Sequence, residues 1–521
     1  MDTLTAALLE PRAYPHPVDG VRLIETRISW VFLAGDFAYK LKKPVSFGFL
    51  DFSSLEARRR FCFEELRLNR RFAPALYLDV VAIVRGPDGP CVAGAGEVLE
   101  FAVRMRRFAD GALLAERAAD GVVPRSLWWR LGADLARLHL ALPRAPADDP
   151  DCEGVPPHFR DALAENLRQI RPYLRDRSDI DVLNVVEERS WADWRRLESL
   201  LWRRHAAEWV RECHGDLHLG NLLLEDERVL PFDCIEFSAR LRWIDVMSEM
   251  AFLVMDCEAR GVPAGGFVAL NAWLEASGDY AGLGILDLCR CYRAVVRAKV
   301  ALLAGRPPVE SDSPAHLEFR RYAALACGFG QPRQRFLAIT CGVSGSGKST
   351  VALALAGELH AIRIRSDVER KRLFGLAADA DTRLPGMPNV YTREAGGRTF
   401  ARLEELAVTV IAAGHPVILD ATFIQRGLRE RFRALAVRLG VPFVVLHCDA
   451  PSEELRRRVA VRHAAGSDAS EADIGVLESQ LAVCEPPDPA REPGTLRVPG
   501  DDAASLALLV DALRAVVFPA A

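Results

Sequence analysis

Two different hydrophobic periods succeed one another along this chain. Residues 21–43 are rich in β-branched and aromatic side chains. They predict strand from Val21 to Leu33, a turn at Ala34-Gly35-Asp36, and a second strand from Phe37 to about Lys43. In that second strand Ala38, Lys40 and Lys42 share one face, and Phe37, Tyr39 and Leu41 share the other. A helix follows, with Ser53 and Glu56 in capping-box spacing at its start and Ala73-Pro74 as its stop. Phe61, Glu65, Leu68 and Phe72 fall on one stripe of this helix, so Glu65 faces inward among apolar residues. Further strands are expected at Leu76 to Val84 and Val98 to Arg106. From about 111 to 328 the pattern is mostly helical, broken at 214–237.

A stretch with Pro307, Pro308, Gly328, Gly330 and Pro332 then interrupts the pattern. Beyond it strands alternate with helices: Phe336 to Cys341, Ala361 to Arg365, Pro416 to Leu419 and Phe443 to Cys448. That alternation predicts a parallel α/β sheet. A chain of 521 residues is too long for one ordinary core. We therefore expect two domains, 1–330 and 331–521, the first with an N-terminal part at about 20–108 and a helical part at about 109–325.

A net charge of −4 argues against a global nucleic-acid-binding surface. Twelve scattered cysteines contain no C-x-x-C pair, which predicts reduced thiols and a cytoplasmic protein. No run reaches the roughly 18 apolar residues of a membrane span, and the first residues lack a signal-peptide pattern.

The helical stretch is broken by H-G-D-L-H-L-G-N, His214 to Asn221. Asp216 precedes Asn221 by five residues, the D-x-x-x-x-N interval of kinase catalytic loops. A dozen residues later P-F-D-C-I-E-F places Asp233 at the end of an apolar run. Phosphoryl transfer is catalysed mainly by positioning and charge stabilisation. It needs a carboxylate for the acceptor hydroxyl, hard oxygen ligands for Mg²⁺, and a lysine on the phosphates. Lys40 is the first candidate for that lysine and Lys42 the second. An inward-facing Glu65 would be costly unpaired, and pairing with Lys40 would resolve the cost; Glu64 is the alternative partner.

These residues together resemble the aminoglycoside phosphotransferase and choline-kinase-like families over roughly residues 20–325. The resemblance implies a two-lobed kinase-like fold, Asp216 as catalytic base, Asn221 and Asp233 as Mg²⁺ ligands, and His214 as a support of the catalytic loop. His218 is more readily structural than chemical. One departure stands out: no G-x-G-x-x-G loop precedes Lys40, and only Gly35 is near. Arg293 and Arg297, four apart, suit either an anionic acceptor pocket, beside Lys299, or ion pairs with the acidic segment 245–249.

A second phosphate-handling signature lies at Gly342 to Ser349, G-V-S-G-S-G-K-S. It follows the apolar run R-F-L-A-I-T-C and opens a helix, the context a phosphate loop requires. Gly342, Gly345 and Gly347 would let backbone N–H groups approach phosphate. Lys348 would contact the β/γ-phosphates, Ser349 the Mg²⁺, and Thr350 continues the loop into the helix. Asp367 and Arg370 show D-x-x-R spacing after a strand. That spacing resembles polynucleotide-kinase-like and gluconate-kinase-like P-loop kinases, a resemblance that implies Asp367 as the acceptor's base; its other reading is a helix N-cap. Asp420 ends the strand V-I-L-D, for a water-mediated Mg²⁺ contact or the acceptor site. Arg458 and Arg462 share a helix face, as lid arginines or as a solvated basic face. This half, about 335–490, resembles P-loop kinases of the zeta-toxin, polynucleotide-kinase and gluconate-kinase type. It carries no Walker-B D-E pair or motor-ATPase signature.

The expectation is an ATP- and Mg²⁺-dependent kinase with two phosphotransferase sites acting on small-molecule hydroxyl groups. A polynucleotide 5′-hydroxyl acceptor for the second half, and a regulatory role without transfer chemistry for one domain, are the alternatives. Nucleic acid is not favoured as a partner, and oligomeric state is not readable.

Overall fold

The β-branched run after Val21 folds as two strands where one was expected. Strand β1 (Val21–Glu25) and β2 (Ser29–Ala34) are separated by a turn at Thr26, whose Oγ1 accepts from the Ser29 N–H at 2.9 Å. The Thr26 N–H donates in turn to the Ser29 carbonyl at 2.9 Å. A threonine hydroxyl can satisfy the backbone locally and so end a ladder that composition alone would continue.

The computed structural model describes residues 3–517 except 48–49, 122, 147–151, 304–309, 311–312, 385, 466–468 and 501. Pro307 and Pro308 lie outside the described residues. The chain divides into two compact units, one made from Met1–Val123, Ala141–Ala162 and Leu201–Leu253, the other from Pro124–Leu140, Leu163–Leu200 and Val254–Ala521.

The first unit is built on an antiparallel sheet of six strands. Besides β1 and β2 these are β3 (Phe37–Lys42), β4 (Tyr77–Gly86), β5 (Gly89–Val92) and β6 (Val98–Arg106), in the order β1-β2-β3-β6-β4-β5. Helix α1 (Leu55–Asn69) packs across β4 and β6 over a core that includes Cys62, Leu66, Leu76, Tyr77 and Val103. Its N-cap is Ser54, whose hydroxyl accepts from the Ala57 N–H at 3.1 Å, and not the expected Ser53. Ser53 instead gives its own N–H to Asp51 Oδ1. Adjacent serines make the capping pattern ambiguous by one residue. Small antiparallel ladders in the unit include β7 (Val210–Glu212) with β10 (Trp243–Asp245), and β8 (Leu222–Glu225) with β9 (Arg228–Pro231), besides a two-residue pairing of Ser46–Phe47 with Leu50–Asp51.

The second unit combines helices with a parallel sheet. Helices α2 (Arg125–Ala141), α3 (Pro263–Ser277), α4 (Leu283–Leu303) and α5 (Pro314–Gly328) come first. The sheet strands are β11 (Leu337–Cys341), β12 (Ile362–Arg365), β13 (Val417–Asp420), β14 (Phe443–His447) and β15 (Thr495–Arg497), ordered β12-β13-β11-β14-β15 and parallel throughout. The central strand β11 is buried at every position, as a strand covered on both faces must be. Helix α6 (Lys348–Glu358) follows β11 directly, and Phe336, Ala338, Leu355, Ile418 and Leu446 share its core. The fold class is thus the expected one: a kinase-like α+β part, then an α/β P-loop domain with a parallel sheet. The three-residue strand β15 was not expected, being too short to show a period. No helix among the described residues is long and apolar enough to cross a membrane.

Two candidate active sites

Strand alternation puts Lys40 and Lys42 on one side of β3, and both meet Glu65 of α1. Lys40 Nζ donates to Glu65 Oε1 and Lys42 Nζ to Glu65 Oε2, each at 2.8 Å. Lys40 is also bonded to Asp233 Oδ1, and Lys42 to Glu236 Oε1. Burial opposes the charge on Lys40, but Asp233, Glu65 and Glu236 outweigh it and hold its pKa well above that of a free lysine. Burial likewise works to raise the Glu65 pKa, yet Lys40 and Lys42 overcome it and hold the carboxyl low, at about 2. Glu64 turns instead to Arg67 and Arg242. Asp233 takes a positive φ of 64°, uncommon for a residue other than glycine, and its N–H donates to Tyr77 Oη at 3.0 Å.

The loop from His214 to Asn221 is held from several sides. The His214 and Gly215 N–H groups donate to Glu249, and His214 Nε2 is 2.8 Å from the Phe232 carbonyl. His214 Nδ1 accepts from the Asp216 N–H at 3.3 Å. Burial lowers the His214 pKa, which favours the neutral ring. Asn221 Nδ2 donates to the Asp216 carbonyl and to Asp216 Oδ2, both at 3.0 Å. With its nitrogen engaged there, its side-chain oxygen is the atom left for a cation. His218 accepts from the Gly220 N–H through Nδ1, and its Nε2 stands 3.4 Å from Asp216 Oδ2.

Beside this constellation lies a cleft of about 570 Å³. Lys40, Tyr77, Asp233 and Phe232 form one part of its lining. Ile24, Thr26 and Val31 of the first hairpin form another. The hairpin therefore faces the cleft without a glycine-rich turn. Arg293 is buried in α4 with its guanidinium over Tyr292, and Arg297 lies over Tyr322. Lys299 Nζ donates to Asn166 Oδ1.

In the second unit the G-V-S-G-S-G-K-S loop joins β11 to α6. Gly342 has φ 149°, and a Cβ there would meet the Cys448 carbonyl oxygen at 2.2 Å, so no other residue fits. Gly347 is the left-handed N-cap of α6, which begins at Lys348 and carries Ser349 and Thr350 in its first turn. Lys348 Nζ folds back on the loop, donating to the Val343 carbonyl at 2.7 Å. Burial lowers its pKa, against the pull of Cys448, Asp420 and Asp367, while Arg462 adds to the lowering. Asp420, Asp367 and Arg462 are thus among the charges that act on this lysine. Arg458 reaches the same loop: its Nη1 lies 3.5 Å from where a Cβ on Gly347 would stand. Arg458 and Arg462 belong to helix Ser452–Ala465, where Arg458 Nε also donates to Glu454 Oε1 at 2.6 Å.

Asp367 is not the N-cap of its helix, Ser366–Leu373. Arg365 holds that position, and Asp367 sits in the first turn. Arg370 packs over Tyr391, 5.2 Å from the ring centroid, and donates to the Val390 carbonyl. Asp420 Oδ2 is buried without a hydrogen-bond donor, Arg363 Nη1 and Arg365 Nε standing off at 3.7 and 3.9 Å. A buried carboxylate oxygen in that condition, close to Lys348 and the phosphate loop, suits a magnesium ion or its water. Asn221 and the half-exposed Asp233 offer matching hard oxygens in the first unit.

Sequence reasoning missed three contributors. Glu236 stands in the D-x-x-E segment, where its spacing was visible but its lysine was not. Gln480 accepts the Ser344 N–H of the phosphate loop at 2.7 Å, and Glu275 takes Arg363 and Arg365. Neither carries a local signal.

Comparison with known proteins agrees with both halves. Residues 50–280 match the family model described as the phosphotransferase enzyme family, and residues 337–487 match one described as an AAA domain. An uncharacterised protein of Mycobacterium tuberculosis is 31% identical over 478 residues, covering 90% of this chain and 92% of the relative. A gluconokinase of Gluconobacter oxydans is 30% identical over 177 residues, 33% of this chain and 79% of that enzyme. Among solved structures, an amicoumacin kinase aligns at 16% identity and a TM-score of 0.38, over 62% of this chain and 91% of that one. The chain belongs to the family of its mycobacterial relative, and it is a kinase in which a phosphotransferase-family domain precedes a kinase-type P-loop domain.

Proposed function

We propose that this protein is an ATP-dependent bifunctional phosphotransferase, each half carrying its own site and moving the γ-phosphate to a hydroxyl of a small polar metabolite. The observation that carries the reading is the convergence of Lys40, Glu65 and Asp233 at a cleft lined by the first hairpin. The P-loop half supports it with an independent set: Lys348, Asp367, Asp420, Arg458 and Arg462.

In the first half, Lys40 is oriented by Glu65 to meet phosphate oxygens. Asp216, held by Asn221, would take the proton of the acceptor hydroxyl. In the second half, the glycines of the loop turn N–H groups toward phosphate and Lys348 adds charge. Asp367 would take the acceptor's proton, with Arg370 at the acceptor side. Arg458 and Arg462 would stabilise charge on the transferring group. Asn221 and Asp233 would hold Mg²⁺ in one half, and Ser349 and Asp420 in the other. When bound, the ion neutralises charge on the phosphates.

The gluconokinase relative supports a small polyhydroxy acceptor for the P-loop half. A polynucleotide 5′ end is not favoured, given the net charge of −4. We assign the protein to the cytoplasm, a reading supported by twelve free cysteines. Calorimetry with a non-hydrolysable ATP analogue tests the two-site claim. It should give two nucleotides per chain, one lost in Lys348→Met and the other in Asp233→Asn. A single site abolished by one substitution would refute it.

A further inference from the structure

Asp233, the carboxylate at the cleft of the first half, stands in the left-handed region with φ 64°, where an L side chain crowds the backbone. The ends of its turn are tied to the His214–Asn221 loop. The Phe232 N–H donates to the Asn221 carbonyl and the Ile235 N–H to the His214 carbonyl, both at 3.0 Å. Cys234 is fully buried, with its thiol 3.2 Å from the His214 carbonyl. The two backbone donors between these ends go to side chains instead. The Asp233 N–H donates to Tyr77 Oη at 3.0 Å, and the Cys234 N–H to Asn69 Oδ1 at 2.9 Å.

Tyr77 opens β4 and Asn69 closes α1, and both are buried, at 1% and 0% exposure. Asn69 is itself held, its Nδ2 donating to the Glu65 carbonyl at 2.9 Å. One turn of α1 thus carries both the partner of Lys40 and the acceptor behind Asp233. The peptide group is planar, so its N–H turns with it. With Phe232 and Cys234 fixed, returning Asp233 to a negative φ requires the peptide between Phe232 and Asp233 to flip. That flip carries the Asp233 N–H away from Tyr77 Oη and re-aims the carboxylate. Lys40 also bonds Asp233 Oδ1, but under the reading above it turns to phosphate when nucleotide binds. The backbone bonds remain to fix the carboxylate.

We propose that Tyr77, with Asn69 behind it, is a positioning residue of the first site: it locks Asp233 in the left-handed conformation that presents the carboxylate to magnesium. The proposal rests on the reading of Asp233 as a magnesium ligand. Tyr77→Phe removes the hydroxyl and keeps the ring in its core with Cys62, Leu66 and Val103. The Asp233 N–H then loses the bond that offsets the backbone strain, and the metal-facing conformer is no longer singled out.

The test is a magnesium titration of the binding of a fluorescent ATP analogue to the full chain carrying Lys348→Met, which isolates the first site. Tyr77→Phe should raise the magnesium midpoint about tenfold, as loss of a group supporting a metal ligand typically does. Affinity for the analogue in EDTA should stay unchanged. Asn69→Leu should move the midpoint in the same direction. If Asp233→Asn shifts or abolishes the magnesium dependence while Tyr77→Phe leaves the midpoint in place, the proposal fails and the Asp233 reading stands. If neither changes it, both fall. An equal loss of affinity in EDTA would mark a general packing effect and overturn the proposal. Should Tyr77→Phe not fold, Asn69→Leu decides: a higher midpoint with unchanged affinity in EDTA supports the proposal, and any other result refutes it.

Discussion

Lys40 and Glu65 meet at 2.8 Å, and Lys42 takes the other oxygen of the same carboxylate. The two lysines differ in their second partner. Lys42 and Glu236 are both sealed from solvent, whereas Asp233 has a side chain 44% exposed. Lys42→Met would leave Glu236 buried without a partner, costing about 3–5 kcal/mol of stability. Lys40→Met would leave an Asp233 that water can reach, so its stability cost should be the smaller. Its cost in transfer by the first half should be the larger, about 10²- to 10³-fold in kcat. Urea melts of both variants, set beside labelled-phosphate transfer, check the ordering. Equal losses in both assays would contradict the division of roles.

Asp216 is held by Asn221 and neighbours His218. Asp216→Asn keeps the shape and removes the base. It should lower transfer by the first half about 10²- to 10⁴-fold while nucleotide affinity holds. A parallel loss of nucleotide binding would show that the residue shapes the cleft instead.

Lys348 is a buried charge satisfied by the loop's own carbonyl until phosphate arrives. Burial depresses its pKa, so in the empty protein the charge is a burden on folding. For a lysine lowered in this way, the unfolded chain binds the proton more tightly, and the burden is present at neutral pH. Lys348→Met should therefore melt no lower than wild type without nucleotide, and should lose the P-loop part of the nucleotide-induced gain. Thermal melts with and without Mg²⁺-ATP measure both. A less stable empty variant would contradict this account.

How far the sequence foretold these sites depends on the range of the interaction. The phosphate loop, the His214–Asn221 loop and four of five parallel strands were legible because each is written in consecutive residues. Lys40 and Glu65 were legible one step further out. Strand period put the lysine on a definite face, and the helical stripe put the glutamate inside. The break at Thr26 was hidden because β-branched residues continue past it, and the strand ends in a turn closed by the Thr26 hydroxyl and backbone N–H on Ser29. Glu236 was visible by spacing but not by partner, whereas Gln480 and Glu275 were illegible in kind. A glutamate within α3 has no local feature that announces two arginines from β12.

His415 is fully buried, and burial lowers its pKa to about 3, with Asp287 opposing and Arg333 and Arg290 adding to the effect. A histidine whose folded pKa lies below the unfolded 6.5 stays neutral in the fold while the unfolded chain takes up a proton. Its contribution to stability is present above pH 6.5 and drains away as pH falls toward 3. At pH 5 the loss is about 2 kcal/mol. His415→Asn should flatten the fall in melting temperature between pH 6.5 and 5. An unchanged slope would place the acid sensitivity elsewhere.

The most direct test of the central claim, that each half transfers phosphate, is labelled transfer from γ-labelled ATP into a cell metabolite extract. Products are resolved by mass, for wild type, Asp216→Asn and Lys348→Met. The account predicts two labelled products, or two successive phosphorylations of one acceptor, with Asp216→Asn and Lys348→Met blocking different steps. A single product that is lost in one variant and untouched in the other would contradict it, leaving one half without transfer chemistry.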